Sequence, residues 1–251
     1  QWWAGRGQSN DILVCFMPAL KRIGHKGADL IAPGNTLESF DAALAAGVDM
    51  VEFDVLPERP DGTGRLMLAH DYTAAAGRTP LTLEEGLAHF AQDAWASVEL
   101  DVDLKLAGYE QRVVDALRSF GLAERALIST MEEESLRIVR AAAPEIRLGW
   151  SVPKIRRNYL ASPLTRLPAL VAARYVRRVL PERLVRAIRE GRIDAVMAHW
   201  VLVDERLARA IEGAGGELYV WTVDDPTRIA ELGAIGVTGI ITNDPRLFAT
   251  A

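Results

Sequence analysis

Residues 51–55 read Val51-Glu52-Phe53-Asp54-Val55, and His25 and His70 stand on either side of them in the chain. So apolar a run reads as a strand, where alternate side chains share a face. Glu52 and Asp54 then project together, about 6–7 Å apart along the backbone. Two acids on one face of an apolar strand imply a cation to hold. A divalent ion between two imidazoles is equipment for breaking a phosphoester or similar bond, so the stretch reads as part of a metal-dependent hydrolase.

Outward from it, short apolar runs alternate with amphipathic ones. Strands are expected at Arg22–Gly27, Met50–Val55, Leu66–His70, Val98–Leu104, Ala126–Met131, Arg147–Val152, Ala195–Trp200, Leu218–Val223 and Gly239–Thr242. Helical spacing falls between them, as in Leu37–Ala46, Tyr109–Phe120, Glu132–Ala142, Asp204–Gly213 and Asp225–Leu232. Such alternation means parallel pairing, in a closed barrel or a doubly wound sheet. Leu66–His70 follows a Pro60-Asp61-Gly62-Thr63-Gly64 turn and is expected to hairpin back as an extra strand. Polar side chains gather at the C-terminal ends of several strands (His25, Glu52, Asp54, Asp103, Trp221), as in a barrel mouth, and no G-x-G-x-x-G turn is present. The expected fold is therefore an α/β (β/α)8 TIM barrel, one domain over 17–251, which suits a chain of 251 residues.

Composition narrows the partners. A net charge of −5 argues against nucleic acid. Cys15 is alone, so no internal disulfide forms. No apolar run approaches the roughly 18 residues that span a bilayer, and a cytoplasmic location is expected. Residues 1–16 read as a non-native or pre-barrel segment ahead of Met17, the alternative being a plug in the barrel bottom. Residues 153–192 depart from the rhythm as a basic helical insertion after strand five. They carry eleven basic residues against Glu182 and Glu190, or +9, leaving −14 elsewhere. Their place above the active face makes them a lid or a solvated, arginine-rich helical hairpin, with weak membrane-surface contact as the functional alternative.

Gly24-His25-Lys26-Gly27, Ala32-Pro33-Gly34-Asn35-Thr36, Val51–Val55 and Ala69-His70-Asp71 resemble, in order, the H-R-G-A, P-E-N-T, E-x-D-V and H-D elements of the glycerophosphodiester phosphodiesterase family. Asp103-Leu104-Lys105 resembles its E-x-K, Trp221-Thr222-Val223 its W-T-V, and Thr242-Asn243-Asp244-Pro245 its T-D-x-P turn. The resemblance runs from Arg22 to Phe248, within the phosphatidylinositol-phosphodiesterase-like superfamily of TIM barrels. It implies that Glu52, Asp54 and Asp103 bind one divalent cation, Mg²⁺ or Ca²⁺, and that His25 and His70 are the acid/base pair. It implies cleavage of a small-molecule glycerophosphodiester to glycerol 3-phosphate and an alcohol. Hard oxygen ligands suit those ions on chemical grounds as well. Lys26 and Lys105 would face the phosphate and Trp221 the substrate, with Asn35, Asp71 and Asp101 supporting the site.

Glu99, Asp101, Asp103 and Lys105 would share one strand face, which pushes Glu99 toward the solvated strand start. His89 reads as structural; His199 ends a strand and is a candidate to line the pocket. Three residues depart from the family pattern at one place: Lys26 for arginine, Gly34 for glutamate and Asp103 for glutamate. Alternative functions are a phospholipase D-like or lysophospholipase D activity and a noncatalytic ligand-binding barrel. No obligate protein partner is evident.

Overall fold

The structure is a computed structural model that describes residues 19–154 and 163–251. The expectations for residues 1–16 and Met17 lie outside them. In chain order the elements are β1 (Lys21–Gly24), α1 (Leu37–Ala45), β2 (Met50–Pro57), β3 (Leu66–Leu68), α2 (Tyr72–Ala76), α3 (Leu83–Phe90), β4 (Glu99–Leu104) and α4 (Glu110–Ser119). There follow β5 (Ala126–Thr130), α5 (Glu133–Ala142), β6 (Arg147–Val152), α6 (Pro163–Arg189), β7 (Ala195–His199), α7 (Glu205–Glu212), β8 (Glu217–Trp221), α8 (Pro226–Ala234) and β9 (Gly239–Thr242). All strands but β3 pair in parallel, and β1 bonds to both β9 and β2, which closes an eight-stranded barrel. β3 pairs antiparallel with the end of β2, the hairpin expected from the Pro-Asp-Gly-Thr-Gly turn.

Strand periodicity sorts the side chains. Met50, Glu52 and Asp54 point into the barrel; Val51, Phe53 and Val55 point outward and join the main core under the helices. Ile23, Met50, Leu127, Ala195, Met197, Tyr219 and Ile241 fill the barrel. Alternate strands close its floor with charges. Lys21 of β1 pairs with Glu99 of β4 at 2.8 Å and approaches Glu217 of β8 at 3.9 Å; Arg147 of β6 pairs with Glu217 at 3.1 Å and also with Glu99. Glu99 thus sits at the strand start as expected, but paired.

The basic stretch after the fifth barrel strand is one helix, α6, in place of the hairpin read from Leu167–Tyr175 and Leu180–Ile188. Val176-Arg177-Arg178-Val179 between them holds no turn residue, so nothing reverses the chain. Leu184, Ala187 and Ile188 bury its C-terminal turns as the barrel's fifth helix. Arg177 Nε donates to the Val201 carbonyl, just past β7, at 2.8 Å. The helix begins 14 residues earlier, about 20 Å of helix beyond that contact. Residues 155–162 lie outside those described, and the apolar spacing expected over Leu167–Tyr175 concerns side chains outside the description.

β2, buried at all eight positions, is pinned from outside by an aromatic cluster. Phe53 stacks on Phe90 at 5.1 Å, and Phe40 meets Phe90 at 4.8 Å and Phe53 at 6.1 Å. Phe90→Ala, far from any polar group of the mouth, is expected to cost about 3–5 kcal/mol, read from urea unfolding at unchanged m-value.

Candidate active site at the barrel mouth

Register sets the site. Glu52 pairs across the sheet with Asp101, and Asp54 with Asp103, so four carboxylates face the barrel interior on two neighbouring strands. Carboxylate oxygens of Glu52, Asp54 and Asp103 lie within 4.8 Å of one another. A cavity of about 180 Å³ opens above them. His25, His70, Glu52, Asp103, Lys105 and Trp221 all line it, and Asp101 lies toward its floor with Ser129 and Ser151. Asp54 stands behind this wall, fully buried. Lys26, Asn35 and Asp71 do not line the cavity.

Each acid is held differently. Asn35 clamps Asp54, its Nδ2 donating to Asp54 Oδ2 at 2.8 Å and its Oδ1 accepting from the Asp54 N–H at 3.0 Å. The Lys26 N–H donates to Glu52 Oε2 at 2.7 Å. Lys105 Nζ lies 2.5 Å from Asp103 Oδ2 and also pairs with Asp54 Oδ1, to which no other described group donates. Burial drives Glu52 well above the carboxylate range, reinforced by Asp54 beside it. Burial also acts on Asp54, but Lys105 and the two histidines outweigh it and hold this acid low. Burial raises Asp101 to about 7 against its bond from Ser129, and one of its oxygens is buried without a partner. Burial works against the Lys105 ammonium, yet Asp103, Asp54 and Glu52 raise it well above its ordinary value.

This donor set fits a hard divalent cation. Three carboxylates converge on one point, and the ammonium of Lys105 is already drawn between two of them. Asp103, a methylene shorter than glutamate, still reaches the cluster because it sits directly opposite Asp54.

The two histidines differ. His25 Nδ1 meets Asn243 Oδ1 at 2.5 Å, and its Nε2 lies 3.9 Å from Glu52 Oε2. Burial, helped by Lys26, pushes its pKa down to about 4. His70 is exposed on the rim, its Nδ1–H donating to Asp71 Oδ2 at 3.1 Å. Asp71 also caps α2 through the Ala74 N–H. Trp221 donates its indole N–H to the Met197 carbonyl at 2.8 Å and turns its ring to the cavity. His199 is absent from the lining; it caps the turn after β7 and packs edge-on against Trp221. His89 bonds Asp41 at 2.8 Å and packs on Trp95, a structural place as expected.

Asp29, Arg78 and Asn243 are functional neighbours that sequence reasoning passed over. Asp29 explains the pairing of Lys26 with Gly34. Its Oδ2 takes Lys26 Nζ at 3.2 Å and its Oδ1 takes the Gly34 N–H at 2.8 Å. A Cβ on Gly34 would stand 2.6 Å from Asp29 Oδ1 and 2.7 Å from Lys26 Cβ. Asp29 thus takes up the Lys26 ammonium and the Gly34 N–H in space that a side chain at 34 would fill. Arg78 straps this loop through the Gly34 and Asn35 carbonyls. No local pattern in the sequence marks Arg78; Asn243 was visible only as an amide where the T-D-x-P turn has an acid.

Comparison with known proteins bears on the family and the fold. The pattern of the Glycerophosphoryl diester phosphodiesterase family matches residues 25–76 and 88–247. A glycerophosphodiester phosphodiesterase of Caldanaerobacter subterraneus is 23% identical over 257 residues, covering 89% of this chain and 93% of its own. A crystal structure of a putative glycerophosphoryl diester phosphodiesterase from Agrobacterium tumefaciens superposes with a TM-score of 0.70 at 21% identity, over 92% of this chain and 97% of that one. An Oleispira antarctica phosphodiesterase, solved with the product sn-glycerol-3-phosphate, gives a TM-score of 0.65 at 20% identity, over 92% and 96%.

The loop geometry makes one counterintuitive demand. Gly34→Glu, which restores the residue of the family pattern, is expected to destabilise the protein by about 1–3 kcal/mol through overpacking. Pairing it with Asp29→Ser, which clears both the space and the like charge, should recover much of the loss in a thermal melt.

Proposed function

The chain belongs to the glycerophosphoryl diester phosphodiesterase family, and we propose that it hydrolyses glycerophosphodiesters to glycerol 3-phosphate and an alcohol with one divalent cation, Mg²⁺ or Ca²⁺. The observation that carries the proposal is the cluster of Glu52, Asp54 and Asp103 in the wall of a cavity that two imidazoles also line. Glu52, Asp54 and Asp103 hold the ion, which when bound supplies positive charge to the nonbridging phosphoryl oxygens. Lys105, on the same wall, adds a second positive charge for the phosphate. Trp221 walls the substrate. A cavity of about 180 Å³ suits a phosphoryl group with a small polyol.

His25 is neutral near pH 7, since burial holds its pKa near 4, and it presents an unprotonated nitrogen to the cavity. It takes the proton of the substrate's neighbouring hydroxyl as that oxygen bonds to phosphorus, and water then opens the resulting cyclic phosphate to glycerol 3-phosphate. His70, oriented by Asp71, gives a proton to the departing alkoxide as the second bond breaks. Lys26 serves through its backbone N–H on Glu52 more directly than through its ammonium, which Asp29 occupies.

A second reading, contact with anionic lipid surfaces, draws support from α6. Arg174, Arg177 and Arg178 are exposed beside Val179, itself 48% exposed, on the part of the helix nearest the mouth. Sedimentation with phosphatidylserine vesicles that weakens with salt would favour it; equal sedimentation with neutral vesicles would count against it. Among the described residues no helix is long and apolar enough to cross a membrane.

The main reading is tested on a panel of headgroup glycerophosphodiesters assayed with Mg²⁺, Ca²⁺ or EDTA. Glycerol 3-phosphate release is expected to vanish in EDTA, to fall about 10²–10⁴-fold in His25→Ala and in His70→Ala, and to be lost in Asp54→Asn. Ion-independent turnover, or none on any diester, would overturn it.

A further inference from the structure

Behind His25 lies a chain of hydrogen bonds whose direction is forced. Asp224, just beyond β8, accepts from Asn243 Nδ2 at 2.7 Å on one oxygen. Its other oxygen accepts from the Asn243 N–H at 2.8 Å and from Thr242 Oγ1 at 3.0 Å. An ionised carboxylate can only accept, so it draws the amide nitrogen of Asn243 toward itself and leaves Oδ1 facing His25. That oxygen, 2.5 Å from Nδ1, can also only accept. Nδ1 must therefore carry the proton. A neutral imidazole has one N–H, so Nε2 keeps its lone pair, on the side where Glu52 and the cavity lie. A flipped amide would demand the opposite tautomer and leave His25 no acceptor nitrogen on the cavity side.

The neighbouring acids do other work. Asp225 caps α8 through the Arg228 N–H, and Asp244 caps the closing turn through the Arg246 N–H. Asp224 caps neither element and aims both oxygens at the Thr242-Asn243 corner.

We propose that Asp224, acting through the side chain of Asn243, is a positioning residue that fixes which nitrogen of His25 accepts the substrate's proton. Asp224 touches neither substrate nor ion. The proposal rests on the reading of His25 as the proton acceptor, and it extends the site by two residues, from just past β8 and β9, outside the metal cluster. A histidine held by an amide that is itself held by a carboxylate keeps the orienting role of a buried acid without adding a further negative charge beside Glu52, Asp54 and Asp103.

The test is ¹⁵N spectroscopy of the histidine rings in the full chain, with the His25 signals assigned by their loss in His25→Gln. The wild-type protein is expected to show a protonated Nδ1 and a bare Nε2. In Asp224→Ala the ring should shift toward the Nε2–H form, and kcat should fall about 10–100-fold with KM little changed. Asp224→Asn, isosteric and so mild to the fold, should give a mixture of tautomers. The exchanged pair Asp224→Asn with Asn243→Asp puts an obligate acceptor back beside Nδ1, and it should restore both the tautomer and most of kcat. A wild-type tautomer retained in both single variants would overturn the proposal. The ring signals need no substrate, so the two readings fail separately. A shifted tautomer in a protein that turns over no glycerophosphodiester would sink the activity alone. Full turnover with an unmoved tautomer would sink the relay alone.

Discussion

Two carboxylates two residues apart on a wholly buried strand cannot both stay ionised without help, and the mouth of this barrel is organised around that fact. At an effective dielectric near 20, unit charges about 4 Å apart interact by about 4 kcal/mol, so Glu52, Asp54 and Asp103 repel strongly. The protein answers with one ammonium, Lys105, between Asp54 and Asp103, and with polar groups bonded to the other oxygens. The loops bear the remaining strain. Lys26 and Asn35 both adopt left-handed backbone, with φ of 50° and 59°, and in those conformations one turns its N–H to Glu52 and the other its amide to Asp54. Residues seldom sit there unless the surroundings over-determine them. Here the surroundings are charges.

The same strand is rigid on its other side. Phe53 lies between the two acids in sequence and is buried among Phe40 and Phe90, so each acid is flanked by positions that cannot shift without opening the core. The acids are therefore displayed at a fixed spacing, as the proposed metal and phosphoryl site requires.

Much of this was legible from the residues alone. The barrel followed from strand–helix alternation and from polar residues at strand ends, and the extra hairpin from its Pro-Asp-Gly-Thr-Gly turn. Glu52, Asp54, Asp103, Lys105 and the two histidines were named on local spacing and resemblance, and the fold brings them together. What escaped was whatever depends on distance in the chain. Asp29 takes both the Lys26 ammonium and the Gly34 N–H, yet nothing in a lone aspartate five residues upstream says so until the loop is folded. Arg78 and Asp224 act on backbone and side chains that only the barrel brings near. The lysine at 26 read as a phosphate ligand because sequence shows a charge and not where it points; its ammonium is committed to Asp29. The long basic stretch read as two helices because two apolar runs flank an arginine pair, whereas a helix can continue through arginines without interruption.

The charged floor has a bearing on the mouth that its location conceals. Alternation of apolar and polar residues tells a strand which face to bury, but it is blind to a slip of two residues, which leaves every side chain on the same face. The ring of Lys21, Glu99, Arg147 and Glu217 is not blind to it. Its signs alternate around the barrel and each cation meets both anions, so a two-residue slip of β1, β6 or β8 would bring uncharged Ile23, Gly149 or Tyr219 into the ring, and one of β4 the shorter Asp101. Four residues further along the same strands, about 13 Å away, stand His25, Asp103, Ser151 and Trp221. The ion pairs at the closed end thus act as a gauge of strand alignment for the open end, and chemistry at the mouth is kept in register by charges that never meet the substrate.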